Sequence, residues 1–190
     1  MDLTTEYSIY RDAVNKATCN KIIKLTDKGY EKAKIVTGVG TTSYLGRVSD
    51  ITWIEEPWVY ELIWPYMEDA NKISGWKFDI KETGRMQLTR YKKGGYYKFH
   101  KDGKSDNLST FGDGTVRKLS MSLILNNNYD GGQLEFSGIN SDGEPVLHTP
   151  KNQSSGTIIV FPSFTAHRVK PITRGTRYSL VVWFLGPPFK

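Results

Sequence analysis

The sequence is poor in the features that build disulfide frameworks, membrane spans and nucleic-acid arms. A single cysteine among 190 residues excludes an internal disulfide. No apolar run is long enough to span a membrane, and the start, MDLTTEYSIY, lacks the basic and apolar regions of a signal peptide. The net charge of +6 is spread along the chain without the basic block that marks a nucleic-acid arm. We therefore expect a cytoplasmic protein with neither a membrane partner nor a nucleic-acid partner.

Length and composition predict one domain that spans residues 1–190. A chain of this size can bury a substantial core, and 13% aromatic residues with 24% charged residues argue against disorder. Helix patterns at 18–28 and 57–73 precede many short strand patterns separated by turns. This order favours an α+β architecture, an antiparallel sandwich or barrel covered by helices.

Several conspicuous residues are interpreted as structural. Cys19 falls on the apolar side of the first predicted helix, where a lone thiol packs as a small hydrophobic group. The cluster of Trp58, Trp64 and Trp76 is interpreted as core rather than as a binding cage. His148 has no acidic neighbour in the local sequence and is interpreted as a sheet residue outside any site.

A strand pattern at residues 85–91 leads into the first motif that carries chemistry. Apolar and polar residues alternate through it, as in a half-buried β-strand, and a glycine pair then interrupts the strand before His100-Lys101-Asp102. Because side chains alternate along extended backbone, His100 and Asp102 point to the same side. They can offer one nitrogen and one oxygen to a metal ion. Alone, His-x-Asp is too common to establish a metal site.

The C-terminal segment supplies a second histidine and a buried cation. His167 lies between two strand-like runs, and Arg177 follows a predicted turn at 173–176, so we expect Arg177 beside His167 on the neighbouring antiparallel strand. Arg177, Ser179 and Trp183 share one face of a run in which an arginine needs an anion partner. Two histidines and a carboxylate define the facial triad of non-haem Fe(II) oxygenases, and the arginine can hold the far carboxylate of a bidentate acid cosubstrate.

Further residues accompany these motifs. The whole set is Gln87, Tyr91, Gly94, Tyr97, His100 and Asp102, the run Tyr129-Asp130-Gly131-Gly132-Gln133-Leu134, then His167, Arg177 and Ser179, together with Arg47, Trp53 and the terminal Gly186-Pro187-Pro188-Phe189. Together they resemble the Fe(II)/2-oxoglutarate dioxygenase superfamily, and within it the prolyl 4-hydroxylase-type branch that includes the bacterial PKHD-type hydroxylases. The resemblance extends from about Lys16 to the end of the chain. It implies a double-stranded β-helix, or jelly roll, with supporting N-terminal helices and iron at its open end.

The resemblance also implies a cofactor set and residue roles. The cofactor is Fe(II), the cosubstrates are 2-oxoglutarate and O2, and ascorbate is a candidate reductant. Hydroxylation of a C–H bond is coupled to decarboxylation of 2-oxoglutarate to succinate and CO2. The implied catalytic and metal-binding residues are His100, Asp102 and His167, and the implied 2-oxoglutarate-binding residues are Arg177, Ser179 and Tyr91. Because Asp102 is the carboxylate that related halogenases replace, hydroxylation is favoured.

We expect the prime substrate to be a prolyl residue of a peptide or protein. The resemblance around residues 87–102 favours this, as does the Gly-, Thr- and Ser-rich segment 36–50, interpreted as a flap over the iron. The candidate substrate-binding residues are Arg47, Gln87, Tyr97 and Trp183. The alternatives are hydroxylation of a free amino acid or other small molecule, and a non-catalytic jelly-roll binding module. A nucleic-acid demethylase is disfavoured because the basic residues are scattered and no base-stacking motif is evident. The sequence does not define an oligomeric state.

Overall fold

The structure is a computed structural model that describes residues 6–26, 29–37, 41–43, 46–103, 114–139 and 142–189, with backbone alone at 35–37 and 41–43. The helices are α1 (Lys16–Ile23) and α2 (Pro57–Ile73). The strands are β1 (Ser8–Tyr10), β2 (Glu31–Lys32), β3 (Ile35–Thr37), β4 (Thr41–Ser43), β5 (Arg47–Val48), β6 (Asp50–Ile54), β7 (Glu82–Thr83), β8 (Met86–Lys92), β9 (Tyr96–His100), β10 (Val116–Ile124), β11 (Tyr129–Gly131), β12 (Leu134–Ile139), β13 (Pro145–His148), β14 (Ile158–Pro162), β15 (Ala166–Val169) and β16 (Ile172–Gly186). Neither helix in these ranges has the length and apolar character needed to cross a membrane.

The helices follow local signals in the sequence. In α1, the side chain of Asn15 accepts a hydrogen bond from the backbone N–H of Thr18 and so caps the first turn. The helix ends at Ile23, earlier than predicted. Lys24 is its C-cap, and the backbone N–H of Lys24 donates to the carbonyls of Ile22 and Lys21. The second helix has the predicted bounds, with Pro57 in its first turn, where the missing N–H costs nothing.

Two antiparallel sheets make up the body of the part of the chain that the structure describes. The larger sheet has the strand order β1-β14-β10-β16-β8-β6-β2, with β7 and β11 also paired to β16. The smaller has the order β13-β12-β15-β9-β5, and β3 pairs with β4 separately. These mainly antiparallel sheets with two helices have the predicted α+β character.

Apolar side chains fill two layers, one on each face of the large sheet. The outer layer packs the sheet against both helices and includes the alternating Leu119, Met121 and Leu123 of β10. Trp76 is fully buried there, and Trp58 and Trp64 pack against the same cluster, so the tryptophans are core residues as predicted. Cys19 is also fully buried in this layer. The inner layer joins side chains of the large sheet to those of the small sheet: Tyr91, Ile124, Leu134, Phe136, Ile159, Phe161, Val169 and Ile172.

The strand β8 is buried on both faces, not on one as the alternation predicted. Met86 and Leu88 pack in the helix-facing layer, while Gln87, Thr89 and Tyr91 are buried on the side of the small sheet. The polar members of the alternation therefore face an enclosed interior instead of bulk water. An enclosed polar face is a location for a binding site, because each buried polar group there needs a partner.

Candidate active site

Three metal-ligating side chains meet at one end of the small sheet. His100 is the last residue of β9 and lies opposite His167 of β15 in the antiparallel register, and Asp102 follows two residues later. His100 Nε2 is 3.4 Å from Asp102 Oδ1, and His167 Nε2 is 3.6 Å from Asp102 Oδ2. One ligand atom from each residue lies within 4.8 Å of the others. These separations are long for direct hydrogen bonds and fit three donors that share one small cation.

Backbone contacts orient both imidazoles toward that common point. His100 Nδ1 lies 2.8 Å from the carbonyl of Lys98, and His167 Nδ1 lies 2.9 Å from the carbonyl of Thr165. Because a carbonyl only accepts, each Nδ1 carries the proton and donates it. Each Nε2 therefore keeps its lone pair on the side of Asp102. This is the arrangement that metal-ligating histidines use.

The electrostatics of the cluster favour ligating protonation states. Burial alone would raise the pKa of Asp102, but the neighbouring His167 and His100 and the charge of Arg117 outweigh it and hold that pKa far below its usual range. Burial lowers the pKa of His167, although the Asp102 charge opposes the shift. The buried site therefore stabilises an ionised carboxylate and a neutral His167, the forms that bind metal.

A buried arginine lies on the large sheet, across the inner layer from this cluster. Arg177 is only 1% exposed, and its Nη1 donates a hydrogen bond of 2.8 Å to Ser179 Oγ. Its Nε and Nη2 have no partner among the described residues. A buried guanidinium with unsatisfied N–H groups is costly unless an anion meets it, and a carboxylate suits its fork. The residues present therefore fit a dicarboxylate cosubstrate.

Two neighbours define the space around Arg177. The ring of Tyr91, opposite Arg177 in the β8–β16 register, has its centroid 5.7 Å from the guanidinium carbon. Gly132 lies close to both Ile172 and Arg177, because a Cβ at that position would overlap Ile172 Cδ1 and lie 3.0 Å from Arg177 Cδ. The missing side chain at Gly132 thus leaves room for the Ile172 side chain and the arginine stem, while Tyr91 and Ser179 lie beside the guanidinium.

The predicted position of Arg177 beside His167 is wrong. Residues 173–176 form no turn, because Gly131 and the preceding residues of β11 pair with this segment and extend β16 back to Ile172. The strand β16 lies between β10 and β8 in the large sheet, whereas β15, with His167, lies between β12 and β9 in the small sheet. The cation and the metal donors therefore come from different sheets.

One of the predicted substrate residues packs on the cluster of His100, Asp102 and His167, and a second packs on the first. The phenol ring of Tyr97 stacks on the imidazole of His100, with centroids 3.5 Å apart and planes inclined by 17°. Arg47 is 8% exposed, its guanidinium carbon lies 4.7 Å from the Tyr97 ring centroid, and its Nε donates to Ser49 Oγ. Burial is the main cause that raises the pKa of Tyr97 to about 12, so its hydroxyl stays protonated.

The other two predicted substrate residues lie on the large sheet. Gln87 is buried and donates a hydrogen bond of 2.9 Å to Thr89 Oγ1. Trp183 is 8% exposed, and its Nε1 has no hydrogen-bond partner within the described part of the chain. Its ring lies 6.1 Å from that of Trp53. Gln87, Trp53 and Trp183 thus form one wall with a spare indole donor.

Arg117 is a residue of the candidate active site that the sequence patterns do not predict. Its Nη1 donates a hydrogen bond of 3.0 Å to the main-chain carbonyl of Asp102, and its guanidinium carbon lies 4.0 Å from the Trp183 ring. The β10–β16 register shifts between Arg117 and Leu119, as at a β-bulge, which re-aims side chains. The only local signal was a basic residue at the start of an apolar strand.

Some predictions fall partly outside the described residues. In the segment 36–50 interpreted as a flap, residues 38–40 and 44–45 lie outside them, while β5 is described and pairs with β9. The polar, turn-rich run at 103–115 predicts a rim loop beyond Asp102, and its residues 104–113 also lie outside them. His148 stands on β13, away from the metal cluster, with Nε2 3.6 Å from Glu6 Oε2. Its acidic neighbour therefore comes from the distant N-terminal segment.

Antiparallel sheets that bring a His-x-Asp, a distant histidine and a buried arginine into one interior define a class, the non-haem iron oxygenases with a 2-oxo acid cosubstrate. Residues 86–185 match the family model of the 2OG-Fe(II) oxygenase superfamily. The match covers more than half of the chain, which belongs to this superfamily. Membership implies Fe(II), 2-oxoglutarate and O2 as the cofactor and cosubstrates, and the expected family is confirmed.

Individual relatives agree with this membership. A PKHD-type hydroxylase of Stenotrophomonas maltophilia (strain R551-3) is 35% identical over 99 residues, which are 51% of this chain and 41% of that protein. A Pseudomonas putida prolyl-4-hydroxylase structure shares 23% identity, with a TM-score of 0.64 over 98% of this chain and 95% of that one. A Trichoplax adhaerens prolyl hydroxylase in complex with a hypoxia inducible factor peptide fragment shares 19% identity, with a TM-score of 0.70 over 95% and 84%. The chain spans less than half the length of the curated relative, and the two structures confirm the double-stranded β-helix fold.

Proposed function

We propose that this protein is an Fe(II)- and 2-oxoglutarate-dependent hydroxylase that acts on a prolyl residue of a peptide or protein. The observation that carries the proposal is the pairing, in one interior, of three converging metal donors with a buried arginine that has two unpartnered N–H groups. A jelly-roll binding module has no need for either feature. One domain, residues 1–190, would contain the whole site.

His100, Asp102 and His167 are the proposed metal ligands. Hydrogen bonds from His100 to the Lys98 carbonyl and from His167 to the Thr165 carbonyl orient both Nε2 lone pairs toward Asp102, so metal binding requires little reorganisation of the imidazoles. Bound Fe(II) would supply the activation of O2, which side chains alone do not provide. The ionised Asp102 contributes a negative charge that offsets part of the charge of a divalent ion.

Arg177 is the proposed anchor for the distal carboxylate of 2-oxoglutarate. Its Nε and Nη2 would each donate to one carboxylate oxygen, while Nη1 remains on Ser179. Tyr91 lies beside the guanidinium and limits the sideways movement of the ligand. The carboxylate would neutralise a buried charge, so part of its binding free energy comes from satisfying groups that are otherwise costly. The keto-acid end would then extend toward the metal cluster of the facing sheet.

The proposed reaction consumes O2 and 2-oxoglutarate and gives succinate, CO2 and a hydroxylated substrate. One oxygen atom enters the substrate C–H bond and the other enters succinate. Of the substrate candidates, Gln87 and Trp183 offer a polar and an aromatic surface, and the indole N–H of Trp183 is a spare donor for a peptide carbonyl. The Pseudomonas and Trichoplax relatives are described as prolyl hydroxylases, and the second holds a peptide. These names support a prolyl peptide over a free amino acid.

The test is mass spectrometry of a proline-rich peptide library incubated with the protein, Fe(II), ascorbate and 2-oxoglutarate. We expect a product heavier by one oxygen atom, with succinate formed in equal amount and no product when 2-oxoglutarate is omitted. A parallel arm with free proline separates peptide from small-molecule hydroxylation. Succinate formation without any modified peptide would contradict the prolyl assignment. Absence of succinate in every arm would contradict catalysis and favour the binding module.

A further inference from the structure

Tyr97 makes a contact with the metal cluster that substrate binding alone does not explain. Its ring lies face to face with the imidazole of His100, at 3.5 Å between centroids and 17° between planes. A ring in this position restricts rotation of the imidazole about its side-chain bonds. The hydrogen bond from His100 Nδ1 to Lys98 restrains one edge of the same imidazole. Together the two contacts leave His100 one orientation, with Nε2 toward Asp102.

Arg47 engages the same phenol ring from the neighbouring strand. Its guanidinium carbon lies 4.7 Å from the Tyr97 centroid, within the range of a cation–π contact. Because the imidazole already covers one face of the phenol, the guanidinium is left with the other. Arg47 and Tyr97 are also register partners in the β5–β9 pair. The order guanidinium, phenol, imidazole therefore runs from the edge strand of the small sheet to a metal donor.

We propose that Tyr97 is a positioning residue for His100, and that with Arg47 it couples the docking of β5 to metal binding. The inference rests on the proposed metal-binding role of His100. It assigns these two side chains a task in the protein without substrate, in place of the direct substrate contacts predicted from the sequence. A fixed imidazole loses less freedom when it binds a metal, so the stack raises metal affinity.

Coupling of this kind is reciprocal. If a docked β5 favours metal binding by holding Tyr97 on His100, metal binding must favour docked β5 by the same factor. The other links between this edge strand and β9 include the two-residue pairing of Arg47 and Val48 and a backbone hydrogen bond from the Lys98 N–H to the Gly46 carbonyl. Metal binding should therefore slow amide hydrogen exchange in β5, and the slowing should depend on the stack.

The first experiment measures Mn(II) affinity of the metal-free full chain by titration calorimetry, without cosubstrate or substrate. Tyr97→Phe keeps the stacked ring and should bind Mn(II) as the wild type does. Tyr97→Leu removes the ring and should weaken binding by about tenfold, the lower end of the usual effect of residues that orient metal ligands. Phe99→Leu, a change of an exposed ring on the same strand outside the β5–β9 register, is the matched control and should leave affinity unchanged.

The second experiment compares amide exchange in β5 with and without Mn(II). We expect metal to slow exchange in the wild type and in Tyr97→Phe, and to have a smaller effect in Arg47→Met, which removes the cation but keeps an apolar stem. If Tyr97→Leu loses the native circular dichroism spectrum, the Mn(II) affinity of Arg47→Met is measured in its place.

The outcomes separate this inference from the proposed function. Mn(II) affinity in Tyr97→Leu equal to that of the wild type, with a raised KM for peptide alone, would assign Tyr97 to substrate contact and overturn the inference while the hydroxylase proposal stands. A wild type that binds Mn(II) in a Tyr97-dependent manner but forms no succinate would support the inference and contradict the hydroxylase. A wild type that binds no Mn(II) would contradict both.

Discussion

Arg117 holds the backbone of the metal-binding loop, because its Nη1 donates a hydrogen bond of 3.0 Å to the main-chain carbonyl of Asp102. The same guanidinium packs 4.0 Å from the Trp183 ring centroid. Asp102 lies just beyond the end of β9, where no strand pairing fixes it. A contact from the opposite sheet therefore anchors the carboxylate donor, and it joins the proposed substrate wall to the proposed metal centre.

Replacing Arg117 should lower turnover more than cosubstrate binding. In Arg117→Gln we expect kcat to fall by about tenfold to a hundredfold, as when a group that orients a metal ligand is lost. The KM for 2-oxoglutarate should change little, since Arg177 remains. Steady-state assay of succinate formation gives both constants. Arg174→Gln is the control, because Arg174 is exposed and its guanidinium pairs with the exposed Asp130. A selective rise in the 2-oxoglutarate KM would contradict the role given to Arg117.

Arg177 should lower the stability of the ligand-free protein and raise its affinity for 2-oxoglutarate. In Arg177→Met the two unpartnered N–H groups disappear, and a buried charge without its anion is replaced by an apolar chain. We expect the melting temperature without 2-oxoglutarate to stay level or rise. The KM for 2-oxoglutarate should rise by at least about a hundredfold, because losing a charge-assisted hydrogen-bonded pair costs about 3 kcal/mol of binding free energy.

Thermal melts with and without 2-oxoglutarate measure both effects of Arg177→Met. The wild type should be stabilised by the ligand and the variant should not, because only a ligand that binds the folded state raises the melting temperature. Arg177→Lys separates charge from geometry, since an ammonium keeps the charge but loses the fork. A 2-oxoglutarate-dependent shift in Arg177→Met as large as in the wild type would place the cosubstrate elsewhere.

The sequence predicts those parts of the fold and site that depend on local pattern. The second helix has its predicted bounds because Pro57 sets its start and an apolar stripe continues to Ile73. The proximity of His100 and Asp102 was predictable because the His-x-Asp spacing brings the two side chains together without help from distant residues.

Long-range pairing produced the errors. The segment 173–176 has turn-forming composition, yet pairing with β11 makes it a strand and sends Arg177 to the sheet opposite His167. Arg117 reaches the site through a register shift against β16, and such a shift depends on two strands at once. The stack of Tyr97 on His100 likewise follows from backbone geometry at the end of β9, which residue spacing alone does not specify.

Acid should destabilise the metal-free protein first through His167. Burial lowers the pKa of this imidazole in the folded state below its unfolded value of about 6.5, so the unfolded chain binds the proton more readily. Stability is therefore greatest above that pH and falls as the pH drops below it. Asp102 has a lowered folded pKa, so its contribution is present above about pH 4 and is lost only in stronger acid.

Urea unfolding of the metal-free protein between pH 7 and 5 tests the His167 contribution. We expect the free energy of unfolding to decrease over this range in the wild type and to decrease less in His167→Gln, which cannot be protonated. An identical slope in His167→Gln and the wild type would show that His167 titrates as it does in the unfolded chain.

Gly132 should prove necessary for the cosubstrate pocket and not only for its turn. Its φ of +68° strains any other residue, and an added Cβ would overlap Ile172 Cδ1 and lie 3.0 Å from Arg177 Cδ. Gly143 offers the matched control, because its φ of +82° imposes the same strain but nothing lies within 4 Å of its Cβ position. Both alanine variants should lose about 1 kcal/mol of unfolding free energy from backbone strain, and Gly132→Ala should lose more, because its new methyl group also overlaps Ile172. Only Gly132→Ala should also raise the KM for 2-oxoglutarate, since only it displaces the arginine. If the two variants had equal KM values for 2-oxoglutarate, the Arg177 side chain would be able to move aside without weakening its proposed contact with the cosubstrate carboxylate.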